Sequence, residues 1–137
     1  AAALASTQDE RLKDAGLLKT LGASQAQIRR AFYTELLADL GAKPLLEMDR
    51  IIFFGKNMTK PMLAICIPFN KEPAHPGNGT MVAISPGNKA AVDELYHKAL
   101  SLGASCDGAP GQRIPDMFYG AYIRDLDGNK VCFNHFG

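Results

Sequence analysis

Two stretches of this chain end in the same way. Residues 32–42 run Phe32-Tyr33-Thr34-Glu35-Leu36-Leu37-Ala38-Asp39-Leu40-Gly41-Ala42, and residues 95–104 run Leu95-Tyr96-His97-Lys98-Ala99-Leu100-Ser101-Leu102-Gly103-Ala104. Each reads as the last turns of an amphipathic helix closed by Leu-Gly-Ala. The two glycines, at 41 and 103, lie 62 positions apart, and β-rich sequence follows each. A supersecondary unit used twice implies a two-module protein whose site lies where the modules meet. A length of 137 residues allows one compact domain or two small modules sharing a core.

The first helix of this pair starts at Ser24, with Gln27 three residues on in a capping box. Ile28, Phe32, Leu36, Leu37 and Leu40 then recur at helical spacing, and Gly41 is placed as a stop. Residues 43–46, 50–54 and 61–68 read as strands, with turns at 47–49 and 55–57. Two prolines and two glycines in residues 71–79 mark a linker. Beyond it, 80–85 is a strand, Pro86-Gly87 breaks it, and Asn88 caps a helix to about Leu102 that buries Val92, Leu95, Ala99 and Leu102. A strand begins at 104–106, and Gly108 to Gly111 reads as a loop. Residues 118–124 and 130–136 are strands joined by Asp125-Leu126-Asp127-Gly128-Asn129, where Asp-Gly between apolar runs signals a hairpin. The second module is thus βαβββ. The first matches it if residues 17–23 supply an opening strand. Ahead of them, residues 1–18 read as a helix rich in Ala, Leu, Lys and Arg, with Thr7 and Glu10 as a capping box.

Composition excludes several partners. Fifteen basic against fourteen acidic residues leave a net charge of +1, which gives no footprint for nucleic acid. The longest apolar run, Met62 to Pro68, is too short to span a bilayer, and no secretory leader pattern opens the sequence. Three widely spaced cysteines, Cys66, Cys106 and Cys132, fit free thiols in a reducing cytoplasm. Cys66 and Cys132 read as small core residues.

The segment Tyr119-Gly120-Ala121-Tyr122-Ile123-Arg124-Asp125-Leu126-Asp127-Gly128-Asn129-Lys130 resembles the closing motif of the vicinal oxygen chelate superfamily. That superfamily includes glyoxalases, bleomycin-resistance proteins and extradiol dioxygenases. Arg29-Arg30-Ala31-Phe32-Tyr33, with Leu36-Leu37 and Leu40-Gly41-Ala42, resembles its first-module helix. The resemblance spans residues 24–136. It implies an α+β fold in which two βαβββ modules form an open curved mixed sheet around a pocket, here with an extra N-terminal helix. The implied divisions are 1–23 (helix and possible first strand), 24–70 (first module), 71–79 (linker) and 80–137 (second module). Residues 9–24 instead resemble a helical segment of an ABC-transporter permease; if the first strand is absent, the first module has an open sheet edge that the N-terminal helix or a partner chain should cover.

The resemblance also implies positions for metal ligands, since metal-using members hold a divalent ion with His and Glu on inward-facing strands. Carried over, these positions fall at Leu18, at Met81, within residues 63–66 and at Cys132. None is His, Asp or Glu. No cofactor is therefore expected, although a divalent metal is usual in the superfamily. His75 between Pro73 and Pro76 reads as a solvated loop residue, and His97 as a helix surface residue. His135 and Cys132 alternate to opposite faces of one strand, which argues against a nucleophile pair. Asp125 and Asp127 read as a structural turn, because the spacing of a calcium loop is absent.

The pocket candidates are Tyr119, Met81, Met62, Phe54, Cys132 and Arg113. Tyr119 offers apolar area and a hydroxyl, with ordinary core as the equal alternative. Tyr119 and Tyr122 fall on opposite faces of their strand. Arg113, in a Gly111-Gln112-Arg113 loop, is placed to anchor an anion or to be solvated. Met62 and Met81 provide adaptable apolar lining or core filler. The expected function is binding of a small apolar or drug-like molecule by a homodimer, with its modules paired within one chain or exchanged between two. The alternatives are a lyase, isomerase or dioxygenase-like enzyme with a non-standard site, and an assembly domain without ligand.

Overall fold

In a computed structural model the described residues are 25–137. The expected N-terminal helix and the possible strand at 17–23 lie outside them. The fold is α+β, with two helices and two open sheets among the described residues. The chain divides into two compact units, one ending at Ala74 and the other formed by His75–Gly137.

The first unit contains α1 (Gln25–Ala38), β1 (Lys43–Met48), β2 (Ile51–Gly55) and β3 (Leu63–Cys66). Its sheet is antiparallel in the order β1-β2-β3. The apolar stripe of α1, formed by Ile28, Phe32, Tyr33, Leu36 and Leu37, is buried. The helix packs on β1 and β2, where the Tyr33 ring lies 6.2 Å from that of Phe54. Arg30 on α1 also reaches Glu47 on β1 at 2.5 Å.

The second unit contains β4 (Val82–Ile84), α2 (Lys89–Ser101), β5 (Ser105–Ile114), β6 (Phe118–Arg124) and β7 (Lys130–Phe136). Its sheet runs β4-β7-β6-β5. β4 pairs with β7 in parallel and the other pairs are antiparallel, so the sheet is mixed. A parallel neighbour needs a crossover, and α2 supplies it. Asn88 caps α2 by accepting a hydrogen bond from the Ala91 amide at 2.8 Å, as the sequence predicts. α2 packs on β5, β6 and β7. Val92, Leu95, Tyr96 and Ala99 on the helix are buried with Ala121, Ile123, Val131 and Phe133. Burying a side chain the size of Phe133 stabilises the fold by roughly 1.5–3 kcal/mol before entropy is counted.

Both Leu-Gly-Ala repeats close their helices by one hydrogen-bond pattern. The Gly41 amide bonds the Ala38 carbonyl and the Ala42 amide bonds that of Leu37; Gly103 bonds Leu100 and Ala104 bonds Ala99. This is the Schellman closure. It requires positive φ at the glycine, and the two values are +75° and +108°.

Two expectations are corrected. Gly108 to Gly111 is not a loop: it lies inside the ten-residue strand β5, paired to β6 with register shifts on both sides of Gly108. Bulges absorb the irregular residues there, and Pro110 is tolerated because β5 is an edge strand. Cys66 is not a core residue: it is exposed on β3, whereas Cys132 is fully buried.

Candidate functional site

Register divides the second sheet into two faces. Residues directly opposite across a ladder share a face. Tyr122 faces Cys132, Arg124 faces Lys130 and Gly120 faces Asn134 across β6 and β7. Ala83 on β4 is in register with Cys132. The alternate residues Tyr119, Ala121 and Ile123 lie on the face that α2 covers. Tyr119 is fixed there by its hydroxyl, which donates to the Asp93 carboxylate of α2 at 2.6 Å. That bond, followed by burial, raises the Tyr119 pKa above the ordinary phenol value. On the same side, a hydrogen bond to Cys106 and burial push Tyr96 up to about 12.

The helix-free face carries the polar side chains. Asp107 on β5 reaches Lys130 Nζ at 3.1 Å and Arg124 Nε at 3.2 Å. Lys130, followed by Arg124, holds the Asp107 carboxyl below the usual carboxylate range. Arg124 also donates to the Gly128 carbonyl at 3.2 Å. Tyr122 has Lys130 Nζ 5.1 Å and Arg113 Cζ 5.4 Å from its ring centroid. Both separations are within the range of cation–π attraction. Gly108 makes this arrangement possible: a Cβ there would fall 2.8 Å from Tyr122 Cδ2. Arg113 is held over the ring by donating to the Ala109 carbonyl.

Deeper on this face, Ser85 donates to Asn134 Oδ1 at 2.6 Å, and the Asn134 amide lies 3.9 Å from Cys132 Sγ. Burial pushes the Cys132 thiol up, and hydrogen bonds from Asn134 and Tyr122 offset only part of that shift. Cys132 therefore stays protonated near neutral pH. A thiol in that state is not a ready nucleophile.

Beside Arg124 and Lys130, where β6 ends and β7 begins, lies a cleft of about 550 Å³, walled by residues 76–81. This volume is within the roughly 300–1,000 Å³ typical of small-molecule sites. Its lining mixes the Pro76 ring and the Met81 thioether with the two cations.

The sequence candidates fall in several places. Met81 lines the cleft, Cys132 is buried on the helix-free face, and Arg113 lies beside Tyr122 on β5 instead of in a loop. Tyr119 is on the helix-covered face. Phe54 is 1% exposed in the core of the first unit, whereas Met62 is exposed and lies over Gly55, whose Cβ position would be 2.8 Å from Met62 Cγ. Sequence reasoning gave no role to Asp107, Lys130 or Asn134, and placed Tyr119 ahead of Tyr122. The missed signal is the company each tyrosine keeps. Tyr119 alternates with Ala121 and Ile123, a core pattern, and Tyr122 alternates with Gly120 and Arg124.

The donor set does not fit a His/Glu-held divalent ion. The described positions implied for such ligands are Met81, residues 63–66 and Cys132, and none of them holds His, Asp or Glu. The Leu18 position lies outside the described residues.

A family model described as the Glyoxalase/Bleomycin resistance protein/Dioxygenase superfamily matches residues 21–133. Among solved structures, a glyoxalase/bleomycin resistance protein from Albidiferax ferrireducens T118 is 32% identical, with a TM-score of 0.69 over 79% of this chain and 87% of that one. A glyoxalase-related enzyme from Fulvimarina pelagi is 19% identical, with a TM-score of 0.64 over 81% and 80% of the two chains. A glyoxalase/bleomycin resistance protein/dioxygenase family enzyme from Burkholderia phytofirmans PsJN is 18% identical, with a TM-score of 0.60 over 78% and 87%. The latter two show likeness of fold alone. No curated protein matches the chain.

Proposed function

The chain belongs to the glyoxalase/bleomycin resistance protein/dioxygenase superfamily, and from that premise we propose that it binds a small organic molecule on the helix-free face of its second unit. The observation that carries this reading is the cleft of about 550 Å³ beside Arg124 and Lys130. It combines apolar wall with fixed charge, the mixture by which ligand sites gain both affinity and orientation. The chemistry of the site supports binding over turnover. Among the described residues of this face, the Cys132 thiol is held protonated and the Asp107 carboxylate is paired with Lys130 and Arg124, so neither is poised as a general base near neutral pH.

The test is thermal-shift and calorimetric titration of the purified chain against a panel of apolar, cationic and anionic small molecules. Turnover of a 2-oxoaldehyde–thiol adduct is measured in parallel. Saturable binding without turnover is the expected result. Turnover would move the protein to the lyase or isomerase alternative, and silence across the whole panel would leave no ligand role.

A further inference from the structure

Three cations and one carboxylate share the helix-free face of the second unit. Arg113, Arg124 and Lys130 surround Tyr122 and Asp107, and two of them line the cleft. We propose that the cleft selects small organic anions, with a carboxylate head taken by Arg124 and Lys130 and an apolar body against Pro76 and Met81. This rests on the small-molecule reading above and gives its ligand a chemical class.

Asp107 shows what the two cations recognise. Its carboxylate already sits 3.1 Å from Lys130 and 3.2 Å from Arg124. That one carboxylate is shared by two cations. Lys130 has three ammonium donors and Arg124 a fork of five, so each can serve a second carboxylate. The side chains of Arg124 and Lys130 are only about a third exposed, at 37% and 32%. Partial removal from water strengthens a charge-assisted hydrogen bond without the full cost of burying the charge. Both side chains are also pre-positioned. Arg124 is tied to Gly128, and Lys130 is drawn to the Tyr122 ring, so little rotamer freedom remains to be lost on binding. The apolar walls then decide what the anion carries. Pro76 and Met81 accept a body about the size of a phenyl ring, and a bare inorganic ion leaves them unused.

The test compares benzoate with its neutral isostere benzamide, titrated into the full chain and followed by amide NMR shifts. Benzoate is expected to move the amides of Thr80, Met81, Arg124 and Lys130. It should bind about tenfold more tightly than benzamide, the effect of one charge-assisted hydrogen bond. Lys130→Gln and Arg124→Gln should each lower that preference, read as the ratio of benzoate to benzamide affinity within the same variant. Asp107→Asn, which removes the competing carboxylate, should tighten benzoate several-fold. Raising salt from about 20 to about 200 mM should weaken benzoate and spare benzamide, a readout that needs no variant.

Equal binding of the two probes at these residues would overturn anion selection and leave the small-molecule reading intact. Anion selection falls in the same way if neither probe binds while a neutral or cationic member of the panel does. If no member of the panel binds at all, both readings fall.

Discussion

At the scale of single residues, this site is governed by how few side chains are left free to react. Cys132 is the clearest case. It is fully buried and its thiol is pushed up by desolvation, whereas Cys66 and Cys106 are exposed. Iodoacetamide at neutral pH should therefore label Cys66 and Cys106 and leave Cys132 unmodified until the fold is opened by denaturant. Peptide mass spectrometry reads the order directly, and early labelling of Cys132 would contradict its burial. Asp125 is restrained in a different way. Its Oδ1 accepts from the amides of Asp127 and Asn129, each at 2.9 Å, and its Oδ2 accepts from the Asn129 side chain at 3.0 Å. The carboxylate is thus spent on holding the β6–β7 turn, as its structural reading in the sequence implies. Asp125→Ala strands two backbone donors in a nearly buried turn. It should cost about 2–3 kcal/mol in urea denaturation, because hydrogen bonds to a charged acceptor are the strong ones. Asp107 links the site to pH. Its folded carboxyl titrates below the ordinary value of 3.8, so its stabilising contribution is complete above that value and is lost as pH falls beneath it. Stability below pH 3.8 should therefore decline more gently in Asp107→Asn than in the parent, as read from denaturation midpoints at a series of pH values.

At the scale of elements, the two Leu-Gly-Ala closures are one device used twice, but their surroundings differ. Alanine at either glycine must adopt a left-handed backbone, a cost of about 1–2 kcal/mol. At Gly41 the nearest atom to a new Cβ is Lys56 Cε at 4.0 Å, whereas at Gly103 it is Leu126 Cδ2 at 3.0 Å. Gly103→Ala should therefore lose more stability than Gly41→Ala in chemical denaturation, and equal losses would show that Leu126 yields freely. These closures were legible in the sequence because a Gly stop after an apolar helical stripe has one common geometry. The strands at 118–124 and 130–136 were legible too, since alternation on both sides of an Asp-Gly turn fixes register and ends together. β5 was not legible. Gly108, Pro110 and Gly111 each break a strand locally, and only pairing with β6 through bulges recovers one. The site was half legible for a related reason. Alternation placed Tyr119 and Tyr122 on opposite faces. Which face the helix covers depends on where α2 packs, a long-range contact that a local pattern does not encode.

At the scale of the whole molecule, each unit is held by its own buried residues: Phe32, Leu36, Leu37 and Phe54 in one, and Val92, Leu95, Ile123 and Phe133 in the other. The chain between these cores is open. Every residue from 69 to 83 is exposed, and the start of the segment is held by local turns, from the Lys71 amide to the Pro68 carbonyl and from the Glu72 amide to Asn70 Oδ1. Lys71 also carries a positive φ of 61°, a conformation that costs a non-glycine residue free energy. Backbone that is exposed and not locked into a sheet is where proteases enter first. The exposed turn after β2 is tighter, because Asn57 Oδ1 accepts from both the amide and the hydroxyl of Thr59. Among the described residues, brief digestion with a non-specific protease should therefore cut first within residues 69–81, as located by intact-mass analysis of the fragments. The same segment contributes residues 76–81 to the cleft, so its two halves should respond differently to a ligand. Saturating benzoate should slow cutting at 76–81, which it contacts, and leave cutting at 69–74 unchanged. Uniform protection along the whole segment would mean that the ligand stabilises the chain from elsewhere, and that the wall of the cleft is not where it binds.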